Sequence, residues 1–299
     1  MVELSGVRNN QLSSIMPSLF AGGEKGVYAR TELFEKVIEG LSAFVSRYQP
    51  SGAEVLRFPP VMSRRQLEIA GYLQSFPHLL GVVSCLSGDE SRIRNVVERP
   101  EWVKEISATE LVLAPAACYP VYPLAAARGP LNSDVVLFDV ASYCFRREVT
   151  EEIDRLQAFQ MREFVCMGIA EQVLDFRMEW MTRAEELAKL LELPYRIAPA
   201  SDPFFGRGGR LAALSQLEQA LKFELLIPVR PDGEPTACMS FNYHLDHFGS
   251  VWHLRTALGD IAHTACIAFG MDRLVLALFA NHGNKLEKWP PGVCENLFN

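Results

Sequence analysis

The sequence predicts an α+β protein, and three stretches carry that prediction. Residues 145–163 read as two antiparallel strands joined by an acidic loop, with charged side chains at alternate positions. Residues 31–45 and 164–193 repeat apolar side chains at helical spacing. Residues 263–279 form an apolar strand that turns at Gly270 into an apolar helix. At 299 residues the chain can bury a substantial core.

Composition removes several function classes. A net charge of -7 disfavours a broad electrostatic grip on nucleic acid, which needs clustered Lys and Arg. The uncharged run from Leu111 to Ala127 is interrupted by Pro115, Pro120 and Pro123, so it makes a poor membrane helix. No basic start followed by an apolar core opens the chain, which points to a cytoplasmic protein. The 7 cysteines, at 85, 118, 144, 166, 238, 266 and 294, are scattered singly, as suits a reducing compartment.

Taken in order, Met1–Gly26 lacks a period and reads as a loop. Thr31 is placed to cap a helix whose stripe is Phe34, Val37, Ile38, Leu41, Phe44 and Val45, stopped by Pro50-Ser-Gly52. Residues 54–62 follow as a strand ending in prolines, residues 63–73 as a helix, and residues 92–102 as a charged surface helix. An apolar segment from Thr109 runs into a proline-rich turn holding Cys118, and Val135–Tyr143 is a strand leading into the hairpin. Within that hairpin Arg146 and Glu148 are two apart, so on an extended chain they share a face. Val149–Asp154 is polar enough for a loop, and Arg155, Phe159, Met161 and Glu163 share a parity on the return strand. Two arginines, a stackable ring and two carboxylates on one cleft suit a nucleoside triphosphate.

Beyond the hairpin, residues 164–193 read as one long helix or two, ended by Pro194, and residues 195–200 as a short strand. Gly206-Arg207-Gly208-Gly209-Arg210 lacks the spacing and Lys of a phosphate loop and reads as a flexible lead into a helix over 211–221. A strand over 223–228 closes at a turn over 230–233. Ser240, Asn242, His244 and Asp246 then share one strand face, which suits either a substrate cleft or a metal held by His244 and His247. Asp272-Arg273 begins the final apolar helix, where a buried Arg needs an anion to meet it.

Phe145-Arg146-x-Glu148, a loop, then Arg155-x-x-x-Phe159 resembles motif 2 of the class II aminoacyl-tRNA synthetases, over about 143–164. The helix and strand over about 31–62 are similar to motif 1, and Gly270-x-Asp272-Arg273 over about 263–279 to motif 3, with Asp272 where that family usually has Glu. The resemblance implies the class II catalytic fold, a mainly antiparallel sheet flanked by helices, working as a homodimer. It implies that Arg146 meets the α-phosphate of ATP, that Arg155 and Arg273 hold the γ-phosphate side, and that Phe159 stacks on adenine. Glu148 is expected near the adenine amine and Glu224 as a magnesium ligand.

Cys118, Glu163 and Cys266 are similar to the zinc site of the atypical seryl-tRNA synthetases of methanogens. Two thiolates and a carboxylate leave one position of a tetrahedral Zn²⁺ open for an amino acid's α-amine. With motif 1 starting near residue 31, the tRNA-binding appendage of those enzymes has no room, and one catalytic domain is expected. A truncated, zinc-bearing core of this kind resembles the amino acid:[carrier protein] ligases of bacteria. They activate a small amino acid with ATP and pass it to the phosphopantetheine thiol of a carrier protein. Glycine and alanine both remain open, and no residue is assigned as base for the thiol. Arg207 and Arg210, on a helical insertion over about 203–221 with Phe204 and Phe205 beside them, are the expected landing surface for an acidic carrier. Two rival readings stand: a tRNA ligase, and an inactive synthetase paralogue serving as a binding subunit.

Overall fold

The computed structural model describes residues 19–21, 23–230 and 234–299. Strand β1 (Leu19–Ala21) pairs antiparallel with β2 (Tyr28–Arg30), so part of the expected N-terminal loop is a strand, while residues 1–18 and 22 lie outside the described residues. Helix α1 (Glu32–Ser46) begins where Thr31 accepts the Phe34 N–H, and its whole predicted stripe is buried.

The strand expected over 54–62 is two strands in different sheets, β3 (Glu54–Arg57) and β4 (Val61–Ser63). Pro59 and Pro60 between them have no N–H to give a ladder, so pairing stops there. The helix expected over 63–73 breaks into α2 (Arg64–Ile69) and α3 (Tyr72–Ser75) at Gly71, whose φ of +80° only glycine adopts freely. Strand β5 (Val82–Leu86), helix α4 (Glu90–Val97) and strand β6 (Ile106–Leu113) follow. β4, β6 and β5 form a small antiparallel sheet. The expected charged helix over 92–102 ends at Val97, ahead of Pro100.

Helix α5 (Val121–Ala126) leads to the long hairpin β7 (Val135–Phe145) and β8 (Ala158–Gly168), and helix α6 (Ala170–Leu190) comes next. The helix expected from 164 starts six residues later, because Phe164–Met167 continue the strand. That strand is buried on both faces at this point, which erases the alternation that would have marked it. Strand β9 (Arg196–Pro199), helix α7 (Gly206–Glu218) and strand β10 (Lys222–Ile227) follow. α7 takes in the glycine-rich lead that had been expected to be flexible. A Cβ on Gly209 would lie 2.6 Å from the Phe204 carbonyl, so this glycine lets the helix pack against its own approach.

Strand β11 (Thr236–Tyr243), helix α8 (His247–Trp252), strand β12 (His263–Gly270), helix α9 (Met271–His282) and helix α10 (Pro291–Phe298) complete the chain. Most of the turn expected over 230–233 lies outside the described residues. β11 ends at Tyr243, so His244 and Asp246 are not on a strand as expected, and Leu245 takes a left-handed conformation.

The main sheet runs in the order β3-β7-β8-β12-β11-β10-β9, antiparallel except for the parallel β3–β7 edge. Its two faces have different tasks. Phe164, Cys166, Ala265, Ile267 and Phe269 point to the core beneath α1, α6 and α9, where Phe164, Trp180 and Phe269 pack edge to face or tilted. Each such fully buried ring contributes about 1.5–3 kcal/mol. Met161, Val165, Cys266 and Ala268, at the alternate positions, point to the other face with α5 and α8. A buried pair fixes β8 against α1: Arg162 binds Asp139 of β7 and donates to Ser42 O and Ser46 Oγ. Removing one member of such a pair costs about 3–5 kcal/mol.

Candidate active site

On that second face lies a cleft of about 220 Å³. Strand parity places Glu163 of β8, Cys266 of β12, Asn242 and Ser240 of β11, and Lys222 and Glu224 of β10 along its floor. The loop after β7 supplies Arg146 and Glu148, the turn after β6 supplies Cys118, and the start of α9 supplies Arg273.

At one end Cys118, Glu163 and Cys266 converge with their ligand atoms within 4.8 Å of one another, and all three are buried. Glu163 Oε1 accepts the Ala117 N–H at 2.7 Å and the Cys118 N–H at 3.1 Å, so the turn after β6 is tied to its carboxylate. Oε2 faces the Cys266 thiol at 2.8 Å. Burial alone would not keep Glu163 here, 1% exposed and without an ion-pair partner among the described residues. The Cys118 thiol is held above the ordinary cysteine range: Cys266 beside it favours its thiolate, but burial and the Glu163 charge outweigh that. Cys266 is pushed well above that range by Cys118, by burial and by Glu163. A divalent cation reverses each of these repulsions at once, so the donor set fits the zinc site that the sequence suggests.

His244 and His247 do not form a comparable set. His244 Nδ1 meets Thr264 Oγ1 at 3.0 Å and His247 Nε2 meets Ala70 O at 3.1 Å. Burial, helped by His247, lowers the His244 pKa to about 4. Cys118, Glu163 and Cys266 are the grouping of three potential ligands that the described residues assemble.

At the other end are two arginines with no carboxylate within ion-pair distance among the described residues. Arg146 donates from Nε to Pro115 O at 3.0 Å and lies 5.6 Å from the centre of the Phe159 ring. Arg273 donates to Asp154 O at 2.8 Å and to Ala237 O at 3.1 Å, and burial lowers its pKa. Carbonyls fix both side chains yet leave their charge for an anion. Glu148 also lines this end. Arg155 does not line the cleft. It precedes β8 instead of lying on it, its side chain is 52% exposed, and it bridges Glu148 and Glu152 at 3.1 Å each.

Sequence reasoning named Glu224 as a magnesium ligand but missed the two residues that gather beside it. Lys222 Nζ contacts Asp202 Oδ1 at 2.6 Å and Glu224 Oε1 at 2.9 Å, and Gln216 of α7 clasps Asp202 through two hydrogen bonds. The two carboxylates outweigh burial and raise the Lys222 pKa. Lys222 and Glu224, two apart on a strand, were the available signal. Asp202, distant in sequence, gave none.

Arg207 and Arg210 lie outside the cleft, exposed on α7. Phe204 stacks on Phe76 at 5.0 Å, whereas Phe205 is exposed near His78. Leu211, Leu214 and Leu217 are exposed on the same helix, an apolar row that the reading of its charges passed over.

The sheet order, the two-strand motif over the cleft and the strand-to-helix turn at Gly270 define a class II synthetase catalytic fold. M. kandleri SerRS, crystallised with A. aeolicus tRNASec, superimposes with a TM-score of 0.82 and 22% identity, over 95% of this chain and 59% of that one. No protein-family model matches the chain. The type-2 serine–tRNA ligase of Methanopyrus kandleri is 28% identical over 198 residues, 62% of this chain and 37% of the other. Amino acid–[acyl-carrier-protein] ligase 1 of Bradyrhizobium diazoefficiens is 55% identical over 279 residues, 92% of this chain and 86% of that protein. The chain therefore belongs to the amino acid–[acyl-carrier-protein] ligase family.

Proposed function

We infer that the chain activates a small amino acid, glycine or alanine, with ATP and transfers it to the phosphopantetheine thiol of a carrier protein. One observation supports this most: a single cleft carries a buried Cys–Glu–Cys set at one end and, at the other, two arginines that no described carboxylate pairs. Cys118, Glu163 and Cys266 would hold zinc, which when bound supplies a Lewis-acidic position for the substrate's α-amine. Arg146 and Arg273 then stabilise the charge that develops as the carboxylate oxygen attacks the α-phosphate and pyrophosphate leaves. Phe159 offers a face to adenine and Glu148 an acceptor for its amine. Glu224, on the cleft floor beside Lys222, would hold magnesium, which when bound would offset the charge of the leaving pyrophosphate. Arg155 would have to leave Glu148 and Glu152 to reach a γ-phosphate. In the second step the carrier thiolate attacks the acyl carbon and AMP leaves, giving a thioester.

The reading extends to the assembly. β3 is one edge of the main sheet and exposes Val55, so a second copy of the chain would pair there. The net charge of -7 favours a protein carrier met by a local basic patch over tRNA, and the unpaired thiols suit the cytoplasm. ATP–pyrophosphate exchange measured with each of the twenty amino acids tests the proposal. Exchange is expected with glycine or alanine and poorly with serine, with leakage between the two small substrates because one methyl separates them by only ~1–3 kcal/mol. A clear preference for serine, with charging of tRNA, would favour the tRNA ligase instead.

A further inference from the structure

Asp272 stands where motif 3 usually has Glu, and its carboxylate does structural work at the edge of the cleft. β12 pairs with β8 as far as Gly270 opposite Met161, so one residue further along β8 the strand has lost its neighbour. There Asp272 Oδ2 accepts the Gln160 N–H at 2.6 Å, and a side chain continues the ladder after the backbone has turned into α9. Such a carboxylate is hard to keep: Asp272 is 1% exposed and burial raises its pKa. Arg30 of β2 opposes that shift by pairing with Oδ1, and Asp272 has no other ion-pair partner among the described residues. The Arg30 guanidinium is itself held, 5.4 Å from the Phe34 ring centre and 5.3 Å from that of Tyr143. The Tyr143 hydroxyl takes hydrogen bonds from Arg30 at 3.1 Å and from Gln160 Nε2 at 2.7 Å. The residue after Asp272 is Arg273, whose charge no described carboxylate takes up.

We propose that Arg30 is a positioning residue for nucleotide binding: it neutralises Asp272, so that this carboxylate can anchor β8 beside Phe159 without drawing Arg273 away from a phosphate. The inference rests on the reading of Arg273 and Phe159 as nucleotide-binding residues. Without Arg30, an unpaired carboxylate would compete with phosphate for the neighbouring cation and repel the triphosphate.

Pyrophosphate exchange on the full-length, zinc-loaded chain separates these claims. Arg30→Met, which keeps an apolar stem against Phe34 and Tyr143, is expected to raise the KM for ATP about tenfold, with the amino-acid KM within about twofold of the parent. Adding Asp272→Asn keeps an acceptor for Gln160 and removes the orphan charge, so the double variant should return to within about threefold of the parent. A structural loss, which removing the orphan charge would also repair, is told apart by the amino-acid KM and kcat: it would change them together with the KM for ATP, whereas the positioning role moves the KM for ATP alone. An unchanged KM for ATP in Arg30→Met, or a double variant as impaired as the single one, overturns the proposal. Should Arg30→Met fail to fold, Arg30→Gln, which donates without charge, is held to the same outcomes. Arg273→Ala is the control: if it leaves the KM for ATP unchanged, the reading of the phosphate end fails, whereas a rise there without one for Arg30 sinks only the positioning role.

Discussion

At one end of the cleft Cys118, Glu163 and Cys266 crowd together with no Lys or Arg within ion-pair distance of Glu163 among the described residues. At the other, Arg146 and Arg273 stand with no carboxylate of the described residues within that distance. Both ends are built on the same sheet face and anchored by backbone groups, amide donors for Glu163 and carbonyl acceptors for the arginines. The difference shows how a fold can hold two opposite and incomplete charges about one small cavity. Backbone dipoles fix each side chain without cancelling it, so each end is completed only by a ligand of the opposite sign. An amino acid and the triphosphate of ATP meeting in one cleft, the amine toward the thiols and the phosphates toward the arginines, match that arrangement.

The largest expected effect breaks one end and spares the other. Cys118→Ser, Cys266→Ser or Glu163→Gln should each release zinc and slow amino-acid activation by on the order of 100-fold or more. Elemental analysis and pyrophosphate exchange measure the two losses. Arg273→Ala should slow exchange while keeping its zinc. Active protein found without zinc, or zinc retained in Cys118→Ser, would undo the assignment of that end.

These two ends were legible in the sequence to different degrees, for physical reasons. Glu163 shares its face with Phe159 and Met161 by strand parity, Cys266 joins it only through the register of β12 on β8, and Arg146 and Arg273 flank turns of recognisable shape. Cys118 lies in an irregular turn, so no periodicity could place it, and only the resemblance paired it with the other two. The boundary at 164 was lost because a strand buried on both faces has no alternation to read. Arg155 was placed on a strand that begins three residues later, and the carboxylates at 148 and 152 hold it outside the cleft. Asp202, Lys222 and Arg30 act through partners far away in the chain, a relation that local pattern cannot carry.

A smaller effect sharpens the comparison from the titration side. His244 lies near the thiol end, beside Tyr122, yet it does not serve as a cation there, because burial lowers its pKa to about 4. Its folded pKa lies below the unfolded value near 6.5, so the stability it protects is complete above about pH 6.5 and is lost as pH falls toward 4. The slope is at most about 1.4 kcal/mol per pH unit in that window. Urea unfolding at pH 7 and pH 5 should show a loss on the order of 2 kcal/mol that His244→Asn removes. An equal loss in both chains would place the acid sensitivity elsewhere.

The smallest expected effect concerns a surface outside both ends. Helix α7 exposes Arg207 and Arg210, and its Leu211, which is 70% exposed, begins the apolar row that Leu214 and Leu217 continue. Carrier proteins that are acidic around the attached arm would meet an enzyme of net charge -7, so attraction must come from a local patch of this kind. Because both arginines are solvated, each contact is worth only ~0.2–1 kcal/mol. Arg207→Ala with Arg210→Ala should therefore slow transfer to the carrier by about two- to fivefold at low salt, and pyrophosphate exchange should stay as it was, since neither side chain lines the cleft. The salt dependence of transfer should flatten in the same variant, because screening has less attraction left to remove. Leu211→Ser with Leu214→Ser separates the apolar part of the surface: it should slow transfer at low and high salt alike. If neither pair of substitutions changes carrier loading at low salt, the carrier lands elsewhere, and α4 with the exposed Val97 and Trp102 beyond it becomes the surface to substitute next.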